Sequence, residues 1–201
     1  MKLLLGTMNK AKLEELPKYL NHAKLQLVTL KDIGFLEEAP ETKDSFLKVA
    51  LEKAKFYAKA TEYPTLADDG GFEVDALDGQ PGVNSKRWVG PKGTDEDRIR
   101  KIFRLLEGIP LEERTARLKL ALVVYFPAER DYIFAEKSIE GIIPEKPAEF
   151  RIPDFPYRSV LFLPKLNKFY GELSRSEHQK INHRKAACKE LLLKLEPYLN
   201  A

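Results

Sequence analysis

Apolar and polar residues alternate along this chain with two different periods, and each stretch marks an element by the period it keeps. Leu3, Leu4 and Leu5 form a short apolar run closed by Gly6-Thr7-Met8-Asn9, which predicts a strand and then a turn. Over residues 10–20 the apolar positions Leu13, Leu16 and Leu20 fall three and four apart, the spacing that keeps side chains on one face of a helix. Residues 25–30 alternate as a strand. Residues 44–61 predict a long helix whose stripe carries Phe46, Val49, Ala50, Lys53, Ala54 and Tyr57. Pro64-Thr65-Leu66-Ala67 leads as a strand into an expected turn at Asp68-Asp69-Gly70-Gly71.

Thr94-Asp95-Glu96-Asp97 resembles a capping box and opens a helix with Ile99, Ile102, Phe103 and Leu106 on its apolar face. Gly108 and Pro110 stop it. Residues 116–126 predict a long strand with Lys119 inside it, and residues 132–138 and 139–143 continue the strand-rich region. Residues 144–159 are rich in proline and predict an ordered loop. Residues 160–163 read as a short strand, and a final helix is expected over about 177–195, with Cys188 in its core face. Helices and strands interleave first, and consecutive strands follow. That order predicts an α/β protein with a mixed, partly antiparallel sheet rather than a regular doubly wound fold.

Composition narrows the class. The 201 residues are 43% hydrophobic and 32% charged, the balance of a globular chain and not of a disordered one. The length suits one domain over residues 1–201, with two lobes around a cleft. Thirty-four basic and 31 acidic residues leave a net charge of +3. So even a balance argues against nucleic acid as partner, although a local basic pocket stays open. Cys188 is the lone cysteine, so no intrachain disulfide forms and a reducing cytoplasm is expected. No segment approaches the roughly 20 uninterrupted apolar residues of a spanning helix, and no membrane partner is expected.

Four clusters are chemically suggestive, each with a plainer alternative. Thr7-Met8-Asn9-Lys10-Ala11-Lys12 sits at a strand-to-helix junction, where free N–H groups attract anions and Thr7, Asn9 and Lys12 add donors and charge. The alternative is an Asn9 helix cap with two solvated lysines. Asp68 and Asp69 are adjacent carboxylates that repel unless a cation joins them, and Mg²⁺ takes oxygen ligands and bridges to phosphate. A glycine turn with one capping Asp reads equally well. Glu41 precedes the second helix as a further metal ligand, and Lys53 either snorkels from the apolar stripe or points its charge into a phosphate-holding cleft. Glu177-His178-Gln179-Lys180-Ile181-Asn182-His183-Arg184 offers His, Asn and Arg donors, or else a solvated face. Phe155-Pro156-Tyr157 offers rings that stack on a base or pack in a loop.

In this order and over nearly the whole chain, these segments resemble the inosine triphosphate pyrophosphatase family, house-cleaning enzymes that remove deaminated purine triphosphates. Thr7-Met8-Asn9-Lys10-Ala11-Lys12 with Glu15 is similar to its N-terminal phosphate motif, and Glu41, Ser45-Phe46, Ala50 and Lys53-Ala54 to its next block. Ala67-Asp68-Asp69-Gly70-Gly71-Phe72-Glu73-Val74-Asp75-Ala76-Leu77 resembles the most diagnostic stretch. Pro81-Gly82-Val83-Asn84-Ser85-Lys86-Arg87-Trp88 and Arg114-Thr115-Ala116-Arg117 follow in step. Residues 157–164 and Ile181-Asn182-His183-Arg184 occupy the two base-recognition positions.

The resemblance implies a long central mixed sheet flanked by helices, two lobes with a nucleotide cleft between them, and a homodimer. It implies hydrolysis of a nucleoside triphosphate to monophosphate and pyrophosphate with Mg²⁺ as cofactor. Asp69 would be general base and metal ligand, with Glu41 and Asp68 helping to hold the metal. Thr7, Asn9, Lys12, Lys53 and Lys86 would surround the triphosphate, with Met8, Lys10, Ala11 and Gly70 lining the same site. Phe155, Pro156, Tyr157, Arg158, His178, His183 and Arg184 would take the base. Catalysis of this kind is positioning and charge neutralisation, with no covalent nucleophile.

The chain also departs from the pattern. Gly70 stands where the family has Ser, and Val49 where Asn is frequent. The base-reading loop, Phe-Gly-Tyr-Asp-Pro in the family, is Phe155-Pro156-Tyr157-Arg158-Ser159 here. His178 replaces a base-contacting Lys, and Asn182 a Ser. The phosphate half is kept and the base half rewritten, so a shifted base preference is expected. Rival expectations are a pyrophosphatase of modified pyrimidines and a nucleotide binder without turnover.

Overall fold

A computed structural model of the chain describes residues 1–40 and 45–200. The strands are β1 (Lys2–Leu5), β2 (Gln26–Thr29), β3 (Thr65–Val74), β4 (Pro81–Gly82), β5 (Thr115–Phe126), β6 (Asp131–Ile142), β7 (Phe162–Leu163) and β8 (Lys168–Phe169). The helices are α1 (Lys10–Tyr19), α2 (Phe46–Thr61), α3 (Asp95–Leu105), α4 (Arg175–Ile181) and α5 (His183–Asn200). Strand order is β2-β1-β3-β5-β6-β7-β8, with β4 paired to β3. β1 runs parallel to both β2 and β3, with Leu5 opposite Thr29 and Leu66. Parallel neighbours need a crossover, and α1 and α2 supply it. The pairs β3–β4, β6–β7 and β7–β8 are antiparallel, so the sheet is mixed as expected.

The chain divides into two compact units. One comprises Met1–Asp69, Leu120–Lys137 and His183–Ala201, the other Gly70–Lys119 and Ser138–Asn182. In the first, the pleat of β1 sends Leu3 and Leu5 into a core with Leu16 and Leu20 of α1 and Leu191 and Leu195 of α5. Leu4 turns the opposite way, toward Leu30 and Tyr57 of α2. Leu66 of β3 belongs to the α1/α5 face. In the second unit, Phe72 and Val74 pack with Ile99, Ile102 and Leu106 from α3 and its end. Thr94 and Asp97 cap that helix reciprocally, Thr94 Oγ1 accepting from Asp97 N at 3.1 Å.

Three expectations are corrected. The stretch Asp68-Asp69-Gly70-Gly71 is not a turn: β3 passes straight through it to Val74. Neither glycine takes a positive φ, and a strand with neighbours in the sheet order on both sides satisfies its backbone by staying extended. The final helix is two helices, because Asn182 is extended (φ −62°, ψ 111°) and ends α4. The strands expected over 132–138 and 139–143 are a single strand, β6. Helix α2 starts at Phe46 with Ser45 as its cap, while the expected start at Asp44 lies outside the described residues.

Candidate active site

The turn after β1 is held close to β3. Gly6 N–H donates to Leu66 O at 2.7 Å, and a Cβ at Gly6 would lie 2.9 Å from both the Thr65 methyl and the Tyr57 ring. Only glycine lets the backbone approach this far. Thr7 Oγ1 then accepts from Asn9 N–H at 3.2 Å, and Asn9 Oδ1 from Lys12 N–H at 3.3 Å. Asn9 is thus the helix cap of the plainer reading. Met8, Asn9, Lys10 and Ala11 are nevertheless exposed around the start of α1, where a helix favours anions.

The adjacent acids part company along β3. Successive side chains of a strand face opposite ways, so Asp68 shares the α1/α5 face of Leu66 and Asp69 turns toward α2. Asp68 has a side chain only 1% exposed, with Lys12 Nζ 2.9 Å from Oδ1 and Arg184 Nη1 2.5 Å from Oδ2. Lys12 also donates to the Asp68 carbonyl at 3.4 Å, and Arg184 Nε lies 3.0 Å from Glu15 of α1. Burial alone would push the Asp68 carboxyl up. The ammonium of Lys12 and the guanidinium of Arg184 outweigh it and hold the group down at about 2. Asp69 is different. It takes one donor bond from Lys53 Nζ at 3.2 Å and keeps a side chain 16% exposed. Burial raises its pKa, and the nearby charges of Lys53 and Lys12 do not cancel that effect. Lys53 therefore aims its charge at an acid and does not snorkel.

His183 opens α5 one residue ahead of Arg184, half-buried. Cys188, one turn further along, is fully buried and its thiol is pushed up by burial to about 12, so it is core as expected. Glu41, the other expected metal ligand, lies outside the described residues. Among the described residues no group of three or more His, Cys, Asp or Glu is placed to hold a metal ion.

The second unit assembles most of the residues expected to read the base. Tyr157 is buried, stacks on Phe72 with centroids 4.7 Å apart, and donates its hydroxyl to Ser85 O at 2.6 Å. Burial raises its phenol pKa. This ring is structural, and so is the buried Pro156 beside it, whereas Phe155 stays exposed. Arg158 lies over the Phe155 ring at 4.2 Å and over Tyr170 at 5.6 Å, a cation–π arrangement. Tyr170 Oη is 2.9 Å from His178 Nε2, and Asn182 Nδ2 is 3.4 Å from His178 Nδ1. Arg158, His178 and Asn182 therefore form one connected group through Tyr170, a residue that sequence reading did not single out. Gly70 and Lys86 are exposed on the same unit, and the Lys86 carbonyl accepts from Arg98 Nε at 3.0 Å.

The chain is similar to known proteins over nearly its whole length. The model of the Ham1 family matches residues 3–194. The chain is 37% identical over 194 residues to a dITP/XTP pyrophosphatase of Bacillus subtilis (strain 168), covering 96% of each chain. It is 35% identical over 192 residues to a dITP/XTP pyrophosphatase of Escherichia coli (strain K12), covering 95% of this chain and 96% of the other. Among solved structures, a HAM1 protein from Coxiella burnetii superposes with a TM-score of 0.85 at 26% identity, over 98% of this chain and 99% of that one. A nucleoside-triphosphatase / dITP/XTP pyrophosphatase from Mycobacterium abscessus gives 0.82 at 35% identity, over 96% and 99%.

Proposed function

This chain belongs to the Ham1 family, and we propose that it hydrolyses a deaminated purine nucleoside triphosphate (XTP, ITP or dITP) to the monophosphate and pyrophosphate. The observation that carries this reading is Asp69: a part-buried carboxylate whose burial favours the protonated form, set against a lysine ammonium at 3.2 Å. An acid so placed accepts a proton readily once its surroundings demand it. In the proposed reaction Asp69 takes the proton from the attacking water. The water oxygen bonds the α-phosphorus, the bond to the bridging oxygen breaks, and its electron pair leaves with pyrophosphate. Lys53 and Lys12 neutralise phosphate charge, and Thr7 with the exposed start of α1 offers donors to the same group.

Mg²⁺ is the proposed cofactor. Its habit is to keep several waters and to take one or two carboxylates together with substrate phosphate oxygens. A part-exposed Asp69 fits that habit, with Glu41 as the second proposed ligand. When bound, the ion neutralises the charge developing on the leaving pyrophosphate. Pyrophosphate and monophosphate are expected in equal amounts from ITP or XTP with Mg²⁺ and not with chelator. Orthophosphate release, or no turnover of any triphosphate, would overturn the reading. A homodimer in the cytoplasm belongs to the same proposal, and sedimentation of the pure protein tests the dimer.

Base preference is proposed to follow Arg158. A guanidinium held near the Phe155 and Tyr170 rings presents donors, and donors favour an acceptor-rich or anionic base edge such as that of xanthine over hypoxanthine. Rates on inosine, xanthosine, guanosine and pyrimidine triphosphates should rank xanthosine first. Arg158→Ala is expected to lower kcat/KM for XTP about tenfold, the worth of a lost charged hydrogen bond, with a smaller effect on ITP. An unchanged XTP/ITP ratio would defeat this part.

A further inference from the structure

We propose that Asp68 is a positioning residue: it fixes the ammonium of Lys12 and the guanidinium of Arg184 and takes no part in holding metal. The idea rests on the proposed function for its purpose, but its geometry lies within one unit and stands alone. Asp68 comes from β3, Lys12 from α1 and Arg184 from α5, three elements that share one face of the strand.

Each Asp68 oxygen faces a cation: Lys12 Nζ stands 2.9 Å from Oδ1 as an ion pair while its hydrogen bond goes to the Asp68 carbonyl, and Arg184 Nη1 donates to Oδ2 at 2.5 Å. The carboxyl is 1% exposed, against 22% for Lys12 and 17% for Arg184. The cations therefore reach toward solvent while the anion between them does not. A magnesium ion keeps water in its shell and needs ligands it can approach. Asp68 has a side chain 1% exposed with a cation at each oxygen, whereas Asp69, one residue on and turned the other way, has a side chain 16% exposed. Two half-buried cations with no anion between them would also be costly to hold this close. Asp68 compensates them, and Glu15 pairs Arg184 from the other side at 3.0 Å. The long, flexible Lys12 is thereby fixed at its tip, which spares the ordering cost when a phosphate arrives.

Two experiments test this without relying on turnover. In the wild-type chain carrying ¹³C-labelled aspartate, Mg²⁺ added with pyrophosphate should move the Asp69 carboxyl resonance and leave that of Asp68 in place. A shift at Asp68 as large as that at Asp69 overturns the proposal. Calorimetry of Asp68→Asn should then show inorganic triphosphate bound about tenfold more weakly, with Mn²⁺ affinity in the presence of that anion within about twofold of wild type. Adding Asp68→Asn to Lys12→Met should cost clearly less than the sum of the two single losses, because both act through the Lys12 ammonium and only the Arg184 contact is left for Asp68 to lose. Loss of Mn²⁺ binding, or full additivity, overturns it. Should Asp68→Asn not fold, the resonance experiment decides alone. Failure of the enzyme reading is seen separately, as absence of pyrophosphate release by the wild type.

Discussion

Asp69 is an acid whose surroundings discourage it from ionising, and that has a measurable cost. Burial raises its folded pKa above the ordinary aspartate range. The ionised form is therefore disfavoured in the fold, and stability is lost as pH rises through the unfolded and then the folded pKa. Asp69→Asn is expected to lower kcat by at least about a hundredfold, the contribution of a general base, and to melt at a higher temperature than wild type at pH 7. The melting advantage should vanish below both pKa values, where wild type is protonated in either state. A melting series from pH 3 to 8 beside a pyrophosphate assay checks both halves. The acids themselves were legible in the sequence, since an Asp-Asp pair after an apolar run is a local signal. Their division of labour was not. Arg184 stands 116 positions from Asp68, and no spacing rule connects residues that meet only because α5 packs along the same face as α1. Tyr170 escaped notice for the same reason: it is one ring in a short loop until Arg158 and His178 are brought to it.

The elements show where periodicity suffices. The heptad-like stripes of α1, α2 and α3 were read correctly to within a residue or two, because an apolar face must meet a core. The strand through Asp68-Asp69-Gly70-Gly71 is expected as a turn from the sequence, because Gly and Asp are the residues of turns, and it is the strand's place inside the sheet, between β1 and β5, that keeps them extended. Two-residue strands such as β4 and β8 leave no period to detect. The break between α4 and α5 rests on one extended Asn, with no Gly or Pro to announce it. At the end of β1 the tight element is Gly6. Gly6→Ala would force a methyl to within 2.9 Å of Thr65 and Tyr57, and is expected to destabilise the protein by about 1–3 kcal/mol, the usual cost of overpacking. Triphosphate affinity should fall with it, since the loop from Thr7 to Asn9 hangs from that contact. Urea unfolding and calorimetry measure the two effects.

The molecule as a whole carries nearly balanced charge, 34 basic against 31 acidic residues, and among the described residues no helix is long and apolar enough to cross a membrane. It also carries a single thiol in the core of its first unit. Cys188 is fully buried and held up at about 12, and the thiolate is the reactive form. An aromatic disulfide reagent at pH 8 should leave the folded chain unlabelled and react with one equivalent in urea. Rapid labelling without denaturant would contradict the described burial. Beyond its charges and its thiol, the molecule is constrained by the phase of one strand. A residue inserted or deleted between Thr65 and Asp68 would act as a frameshift in three dimensions, reversing every side chain downstream and presenting each carboxylate to the other's lysine. Substitutions in this stretch are therefore open to graded loss, whereas a change in its count of residues abolishes both roles at once.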